Sequence, residues 1–387
     1  MVPVTAATSY NIYWGSAAGV TIASATTAGN TVIGATSPYL NSSPPLPIGR
    51  YYYLVTAVNA EGESLPSTEV SAVSYKPRKI PDSGQVTSFT GAAGEDNDYT
   101  INPPSYTDNS NGTIADNVTG LMWQKCSSGQ TNDATCSGTA TTKTWADAVT
   151  YCDTLSVVDQ FGSAVTGWRM PTVRELQSVA DYSKTIPSID ATPFPATVPT
   201  WYWSSTPYAG DTSNAWGVDF RFGESFRTNK TYDLYVRCVR GEESVQSFTD
   251  NGDDTVTDNV TGLTWQRCGI GHNNDPTCTA IGPGVFQYEN FWDTGINLCE
   301  GLSLGGQTDW RMPNVKELLS LVDYSKYNPS IDTAYFPGSM SKEYWSSTTH
   351  EYNSNYAWEV NFQSGDVTLL HEKATKYPSV RCVRGNP

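Results

Sequence analysis

The sequence has few charged residues, few histidines and no long apolar run. Charged residues make up 16% of the 387 residues, and only three histidines occur. No apolar run approaches the roughly 20 residues that a membrane helix needs, so no membrane span is predicted. Acidic residues outnumber basic ones by 39 to 23, which gives a net charge of −16. Such a surface repels phosphate backbones, so nucleic-acid binding is not expected.

The sequence is rich in aromatic residues and in the turn-forming residues Gly and Pro. It contains 12 Trp, 23 Tyr, 32 Gly and 23 Pro. Aromatic residues supply core material, and Gly and Pro punctuate short strands. This mixture is typical of loop-rich extracellular β domains rather than of helical cytosolic enzymes.

One long block of the sequence occurs twice. For example, Asp116-Asn-Val-Thr-Gly-Leu-Met-Trp-Gln-Lys-Cys126 returns as Asp258-Asn-Val-Thr-Gly-Leu-Thr-Trp-Gln-Arg-Cys268. Most matching blocks are 142 residues apart, which indicates duplicated domains and not a short-period solenoid. The further matching blocks are 168–176 with 310–318, 202–206 with 344–348, and 236–241 with 380–385.

All eight cysteines lie in the repeats, four in each copy. Matching even sets predict disulfides and therefore an oxidising compartment, outside the cell or on its surface. Zinc is the rival interpretation, but neither copy has a C-x-x-C pair and the first copy has no histidine. Spacing alone leaves the connectivity open. We favour the pairs Cys126–Cys136, Cys152–Cys238, Cys268–Cys278 and Cys299–Cys382.

Two helices and several strands are predicted within each copy. Thr144 with Asp147 and Thr172 with Glu175 are typical of helix N-termini. Val173, Leu176 and Ala180 then follow at helical spacing. In the later part of each copy, apolar and polar residues alternate as they do in β-strands. We therefore predict an α+β domain, with two helices plus antiparallel strands held by disulfides.

The repeated motifs resemble those of the Lcl C-terminal-like domain family. The shared blocks are D-N-x-T-G-L-x-W, W-R-M-P-x-x-x-E-L, Y-W-S-S-T and V-R-C-V-R-G, in this order. The resemblance covers residues 82–242 and 243–387. It implies a C-type-lectin-like fold and a bacterial adhesin-type role. Formylglycine-generating enzymes share that fold, but their redox-active cysteine pair has no counterpart here, so we do not expect an enzyme.

Residues 1–79 carry a different pattern. The stretch Gly49-Arg-Tyr-Tyr-Tyr-Leu-Val-Thr-Ala-Val-Asn59 and its continuation resemble the last hairpin of a fibronectin type III domain. Such sandwiches need about 90–100 residues and seven strands. We therefore expect an incomplete all-β sandwich that lacks its first strands. A trimmed start explains this, and so does strand donation by a neighbouring subunit, which would build a fibre.

Candidate ligand-binding residues lie where the two copies differ, because loops on a rigid scaffold often carry recognition. Tyr, Arg, His and Lys side chains there suit polar contacts with a glycan or another surface polymer. Ordinary loop drift is the alternative explanation. The candidates are Tyr208, Arg221, Arg227, Tyr232, His350, Tyr352, His371 and Lys373.

Calcium is the one candidate cofactor. Four acidic side chains near the start of the second copy could supply oxygen ligands, although Asp beside Gly is also a common turn former. These residues are Asp250, Asp253, Asp254 and Asp258.

The sequence thus favours an extracellular adhesin that binds a glycan or surface polymer. The alternative is a structural subunit that contacts copies of itself in a fibre or surface layer.

Overall fold

The computed structural model of the chain describes residues 7–36, 49–74, 79–91, 93–158, 164–279, 291–375 and 377–385. The chain divides into two compact units, residues 1–77 and 78–387. Antiparallel sheets dominate both units, and their helices are short. None of the helices in the described ranges has the length and apolarity needed to span a bilayer.

The first unit is an antiparallel sheet with a short helix packed on it. Its elements are β1 (Ser9–Gly15), α1 (Ile22–Thr27), β2 (Thr31–Ala35), β3 (Gly49–Asn59), β4 (Gly62–Glu63) and β5 (Val70–Ser74). β3 is central, because β1 pairs along one side of it while β4 and β5 pair along the other. Tyr13 and Leu54 are cross-strand partners that pack against Ala25 of α1. The expected β character is confirmed, but the described residues form one sheet, and a fibronectin-type sandwich is not shown.

Each repeat of the second unit builds a four-stranded sheet, a three-stranded sheet and two helices. A short 3-10 helix (Asp96–Asp98) precedes them. The first repeat contains β6 (Tyr106–Asp108), β7 (Thr113–Asp116), β8 (Met122–Gln124), α2 (Trp145–Asp153), β9 (Val157–Val158), β10 (Ala164–Val165), α3 (Val173–Ser178), β11 (Trp201–Pro207), β12 (Asn214–Asp219), β13 (Glu224–Asn229) and β14 (Val239–Arg240). The second contains β15 (Phe248–Asp250), β16 (Thr255–Asp258), β17 (Thr264–Gln266), α4 (Trp292–Glu300), α5 (Val315–Ser320), β18 (Glu343–Thr349), β19 (Ala357–Asn361), β20 (Asp366–Thr368) and β21 (Val383–Arg384).

The last strand of each repeat returns to its first sheet. The four-stranded sheets run in the order β14-β8-β7-β6 and β15-β16-β17-β21, and the three-stranded sheets in the orders β11-β12-β13 and β18-β19-β20. β14 pairs with β8, and β21 pairs with β17. Each repeat is therefore closed by contact between its two ends.

The predicted α+β, C-type-lectin-like fold of the repeats is wrong, because strands in antiparallel sheets dominate and the helices stay short. The helix starts were predicted correctly: Thr172 and Glu175 form a capping box at the start of α3. The helix ends were not. Ala180, which continues the helical spacing, lies beyond α3 and forms a β-bridge with Ile189. The apolar residues keep their helical spacing beyond the end of α3, although the backbone there has already left the helix and pairs with another segment.

Four disulfides join the cysteines, and the expected disulfide framework is confirmed. A local bridge in each repeat closes a loop after the first sheet, and a longer one ties the first helix to the last strand. The pairs are Cys126–Cys136, Cys152–Cys238, Cys268–Cys278 and Cys299–Cys382, as favoured from the sequence.

One hydrophobic core runs through both repeats of the second unit. The Tyr182 ring of the first repeat packs edge-on against Trp358 of the second, with ring centroids 4.9 Å apart. Tyr324 packs in the same way against Trp216, at 5.4 Å. The 142-residue offset exchanges these two contacts. The repeats therefore face each other about an approximate two-fold axis, as in an isologous dimer.

Candidate functional site

Tyr208 and Arg227, two of the candidate binding residues, lie at the boundary between the repeats. The Tyr208 ring is 9% exposed and packs edge-on against Trp216 and against Tyr327 of the second repeat. The Arg227 guanidinium stacks over the Tyr208 ring at 4.8 Å and forms an ion pair with Asp366 of the second repeat. Both side chains thus already have partners within the chain, and those contacts join the repeats.

His350 occupies the position in the second repeat that Tyr208 occupies in the first. Its ring is buried between Trp358 of its own repeat and Phe222 of the other. Burial lowers the pKa of His350 below its usual value, so the ring is neutral at physiological pH. The neighbouring Tyr352 is exposed. Of this pair, only Tyr352 is open to a ligand.

A group of aromatic side chains is exposed at the end of the β11-β12-β13 sheet. Trp201 at the start of β11 is 41% exposed, and its ring centroid lies 4.8 Å from that of Phe226. Trp201 and the 60% exposed Tyr232 line one open cavity of about 320 Å³. We call Trp201, Phe226 and Tyr232 the aromatic platform.

Asp219 and Arg221 give this platform a polar edge. The buried Asp219 carboxylate accepts hydrogen bonds from Trp201 Nε1 at 2.8 Å and from Arg221 Nη2 at 2.6 Å. Those bonds fix the orientation of the indole, and the hydrogen bond to Asp219 raises the pKa of Arg221. About half of the Arg221 side chain is exposed. The platform therefore combines flat apolar rings with an exposed guanidinium, and the structure brings two of the candidates, Arg221 and Tyr232, to it.

The local sequence explains why the platform forms here. Side chains alternate along a strand, so Trp201 and Trp203 share one face of β11. Trp203 is buried in the core of the repeat, and Trp201 emerges at the edge of that core. Gly217 is the cross-strand partner of Phe226, and a Cβ at Gly217 would lie 2.6 Å from the Phe226 ring. Glycine thus lets Phe226 lie over β12 and reach Trp201.

The matching positions of the second repeat hold buried acidic residues. Where the first repeat has Trp201, Gly217 and Phe226, the second has Glu343, Glu359 and Thr368. Burial raises the pKa of Glu359 to about 7. The Glu359 carboxylate accepts the backbone N–H of His371 at 2.8 Å, and its second oxygen lies 2.9 Å from Nδ1 of that ring. His371 stacks on Tyr377 at 4.8 Å. The two repeats therefore present different chemistry at matching positions.

Lys373 belongs to an arrangement that both repeats contain. Its Nζ lies 3.7 Å from the centroid of the Trp292 ring and donates to Thr349 Oγ1 at 2.6 Å. Burial lowers the pKa of Lys373 to about 8. Lys230 lies in the same way over Trp145, with Nζ at 4.4 Å. This cation–π contact packs the late loop onto the first helix of each repeat.

The four aspartates considered as calcium ligands do not converge on one point. Asp258 Oδ1 accepts the backbone N–H of Val260 at 2.9 Å, and Asp250 Oδ1 accepts that of Gly252 at 2.9 Å. Asp253 bonds in the same way within its own turn, and Asp254 faces a nearby arginine. Among the described residues no group of three or more His, Cys, Asp or Glu side chains could hold a metal ion. Calcium binding stays a prediction.

Sequence reasoning missed Trp201 of the platform and the buried Glu359 of the second repeat. The sequence suggests aromatic residues as core material, which is true of Trp123, Trp203 and Trp216. A signal was nevertheless present. When the two repeats are aligned, Trp201 corresponds to a glutamate, so this position is one of the places where the copies differ.

Two stretches of the chain, residues 112–240 and 254–384, match the model of the Lcl C-terminal domain family. The chain belongs to this family and carries two copies of its domain. No curated protein matches the sequence.

Proposed function

We propose that this chain is an extracellular or cell-surface binding protein of the adhesin type, and that its ligand is a glycan. Membership of the Lcl C-terminal domain family and four disulfides support a surface location, because disulfides persist in oxidising compartments. No catalytic activity is expected.

The observation that carries the proposal is the aromatic platform. Exposed flat rings offer a stacking surface for the apolar face of a sugar, and a nearby guanidinium and tyrosine hydroxyl offer hydrogen bonds to sugar hydroxyls. Trp201 is held rigidly by Phe226 and by its hydrogen bond to Asp219, so little side-chain entropy is lost on binding. The net charge of −16 favours neutral glycans over polyanionic ones.

A glycan array followed by calorimetry with the best ligand tests the proposal. Trp201→Ala removes the stacking ring, and we expect it to weaken binding by about tenfold or more, which corresponds to about 1.4 kcal/mol. Trp201→Phe retains a ring and should keep part of the affinity. Phe291→Ala is the matched control, because Phe291 is an exposed aromatic residue that lies outside the platform and is not a binding candidate. Unchanged binding by Trp201→Ala, or no binding to any neutral glycan, would contradict the proposal.

A structural subunit of a fibre or surface layer is the second candidate. The supporting observation is the sheet of the first unit, whose outer strands β2 and β5 carry the exposed apolar residues Ile33 and Val70. Exposed strand edges can pair with another chain. Light scattering and electron microscopy of the full chain test this idea. Filaments that disappear on Ile33→Lys would support it, and a monodisperse monomer at high concentration would argue against it.

A further inference from the structure

A loop that only the first repeat possesses lies on the boundary between the two repeats. It comprises residues 82–102, which we call the inserted loop. Its ends meet, because Asp82 N donates to Asn102 O at 3.0 Å and Ile101 N donates to Asp82 Oδ2 at 2.8 Å. In the second repeat only residues 241–247 separate β14 from β15. The second repeat therefore has no counterpart of this loop.

The start of the inserted loop bonds to both repeats. Ser83 O accepts the backbone N–H of Tyr182 in the first repeat at 2.8 Å. Asp82 O accepts a hydrogen bond from Nζ of the buried Lys316 in the second repeat at 2.9 Å. Gly84 has a φ of +94°, and a Cβ there would collide with the carboxylate of Asp181. Glycine is therefore required at this point of the loop.

Two further side chains of the loop form hydrogen bonds to the second repeat. The Gln85 amide bonds to both backbone groups of Thr349, with both distances 2.8 Å. Asp96 accepts the hydroxyl of Thr348 at 2.6 Å. The loop thus occupies a groove built from the end of β18, the start of α5 and the segment around Tyr182.

The approximate two-fold axis places a second groove on the other side of the unit. The 142-residue offset relates the groups that hold the loop, Asp181, Tyr182, Lys316, Thr348 and Thr349, to Asp323, Tyr324, Arg174, Thr206 and Pro207. All five counterparts line one open cavity of about 850 Å³. This cavity, which we call the second groove, repeats the site of the inserted loop, and among the described residues the short segment 243–247 lines it in place of such a loop.

Hydrogen-bond donors that are used in the first groove lack acceptors in the second. Thr348 and Thr206 both accept a backbone N–H at 3.0 Å, but only the Thr348 hydroxyl donates onward, to Asp96. Within the described residues the Thr206 hydroxyl and the backbone N–H of Tyr324 have no acceptor. Arg174, the counterpart of Lys316, differs because its Nη2 already donates to Val322 O. The second groove therefore offers two of the donors that bind the loop in the first.

The two grooves differ at one position. Thr349 uses its backbone N–H to bind the Gln85 side chain, whereas Pro207 has no N–H. A ligand in the second groove loses this bond. We therefore expect an occupant of the second groove to bind more weakly than the inserted loop binds in its own groove.

We propose that the second groove binds a looped peptide segment of a partner protein whose chemistry matches the inserted loop. The segment supplies a backbone carbonyl to the N–H of Tyr324, a glycine beside Asp323 and a carboxylate to the Thr206 hydroxyl. A polypeptide is the occupant because a polypeptide fills the equivalent groove. This inference concerns a different surface from the aromatic platform and does not depend on glycan binding.

Fluorescence anisotropy with a labelled synthetic peptide of residues 80–102 tests the proposal on the full chain. We expect saturable binding. Ala209→Trp places an indole at an exposed position that lines the second groove and should weaken binding at least tenfold. Ala374→Trp is the matched control, because Ala374 is an exposed alanine outside the groove, and it should bind as the wild type does.

A second arm changes the peptide and leaves the protein intact. A peptide carrying Gly84→Val should bind at least tenfold more weakly, because the side chain would collide with the acidic residue beside it. The proposal is overturned if the wild-type chain does not bind the peptide. It is also overturned if Ala209→Trp binds the peptide as tightly as the wild type, since the peptide would then occupy another surface.

Discussion

At the scale of single residues, one glutamate explains much of the repeated Trp-Arg-Met-Pro motif. Glu317 accepts two hydrogen bonds from the Arg311 guanidinium, at 2.6 and 2.7 Å. The same carboxylate accepts the backbone N–H of Asn314 at 2.9 Å and so completes the capping box of α5. Glu175 does the same in the first repeat with Arg169. The motif therefore specifies a helix start that an ion pair fixes to the segment preceding it, whose arginine forms an isolated β-bridge with the last strand of the repeat.

The contribution of each of these ion pairs to the free energy of unfolding depends on how deeply the pair is buried. We expect Glu317→Gln to lower the free energy of unfolding by about 3–5 kcal/mol, because it leaves the Arg311 charge buried without its partner. Glu175→Gln should cost clearly less, since a quarter of the Arg169 side chain is exposed, whereas 6% of that of Arg311 is. Urea denaturation followed by tryptophan fluorescence measures both. Equal losses for the two variants would contradict the role given to burial.

At the scale of elements, the inserted loop contains a buried carboxyl group that titrates near neutral pH. Asp96 is fully buried, and desolvation, together with the nearby Asp82, raises its pKa from 3.8 to about 7. Glu317 adds to this effect from α5, whereas hydrogen bonds from Ser83 and Thr348 oppose it. The folded state therefore holds the Asp96 proton at pH values at which the unfolded chain has lost it.

This difference fixes the sign of a pH effect on stability. A raised folded-state pKa contributes stability that is fully present below about pH 4 and is lost as the pH rises to about 7. Asn at position 96 is neutral at every pH. We therefore expect the stability of Asp96→Asn relative to the wild type to increase with pH between 4 and 7, by up to about 1.4 kcal/mol per pH unit.

Urea denaturation at several pH values between 4 and 8 measures this dependence. Asp98→Asn, on the same 3-10 helix, is the control and should follow the wild type at all pH values. A stability difference between Asp96→Asn and the wild type that does not change with pH would show that Asp96 is ionised in the folded state throughout.

At the scale of the whole molecule, the two repeats share one core and should unfold together. Tyr182 is almost fully buried, and its ring packs against Trp358 across the boundary between the repeats. We expect Tyr182→Ala to cost about 3–5 kcal/mol and to shift the unfolding of both repeats by the same amount. Calorimetry of the full chain should show a single transition for residues 78–387, in addition to any transition of the first unit.

Tyr352→Ala provides the control for this experiment. Tyr352 is 77% exposed, so its removal should change stability by less than about 0.5 kcal/mol. If Tyr182→Ala instead produced two transitions within residues 78–387, with only one of them shifted, the repeats would be independent domains.

The sequence by itself determined the features that depend on local spacing. The duplication, the disulfide framework and the capping residues of the helices all follow from motifs that act over a few residues or recur at a fixed offset. The β character of the first unit follows from alternation along its strands. These signals survive in any tertiary arrangement, because they arise from backbone hydrogen bonding and side-chain periodicity.

Only the tertiary structure decided which face of each strand is buried and against what. It ended α3 before Ala180, where pairing with Ile189 replaces the next helical turn, and it gave antiparallel sheets in place of the predicted α+β, C-type-lectin-like fold. It buried Tyr208 at the boundary between the repeats, stacked the exposed Arg227 on it and exposed Trp201, although all three lie in or near variable loops. A contact between the two copies, such as that of Arg227 with Asp366, leaves no trace in local spacing, because it depends on how the copies pack against each other.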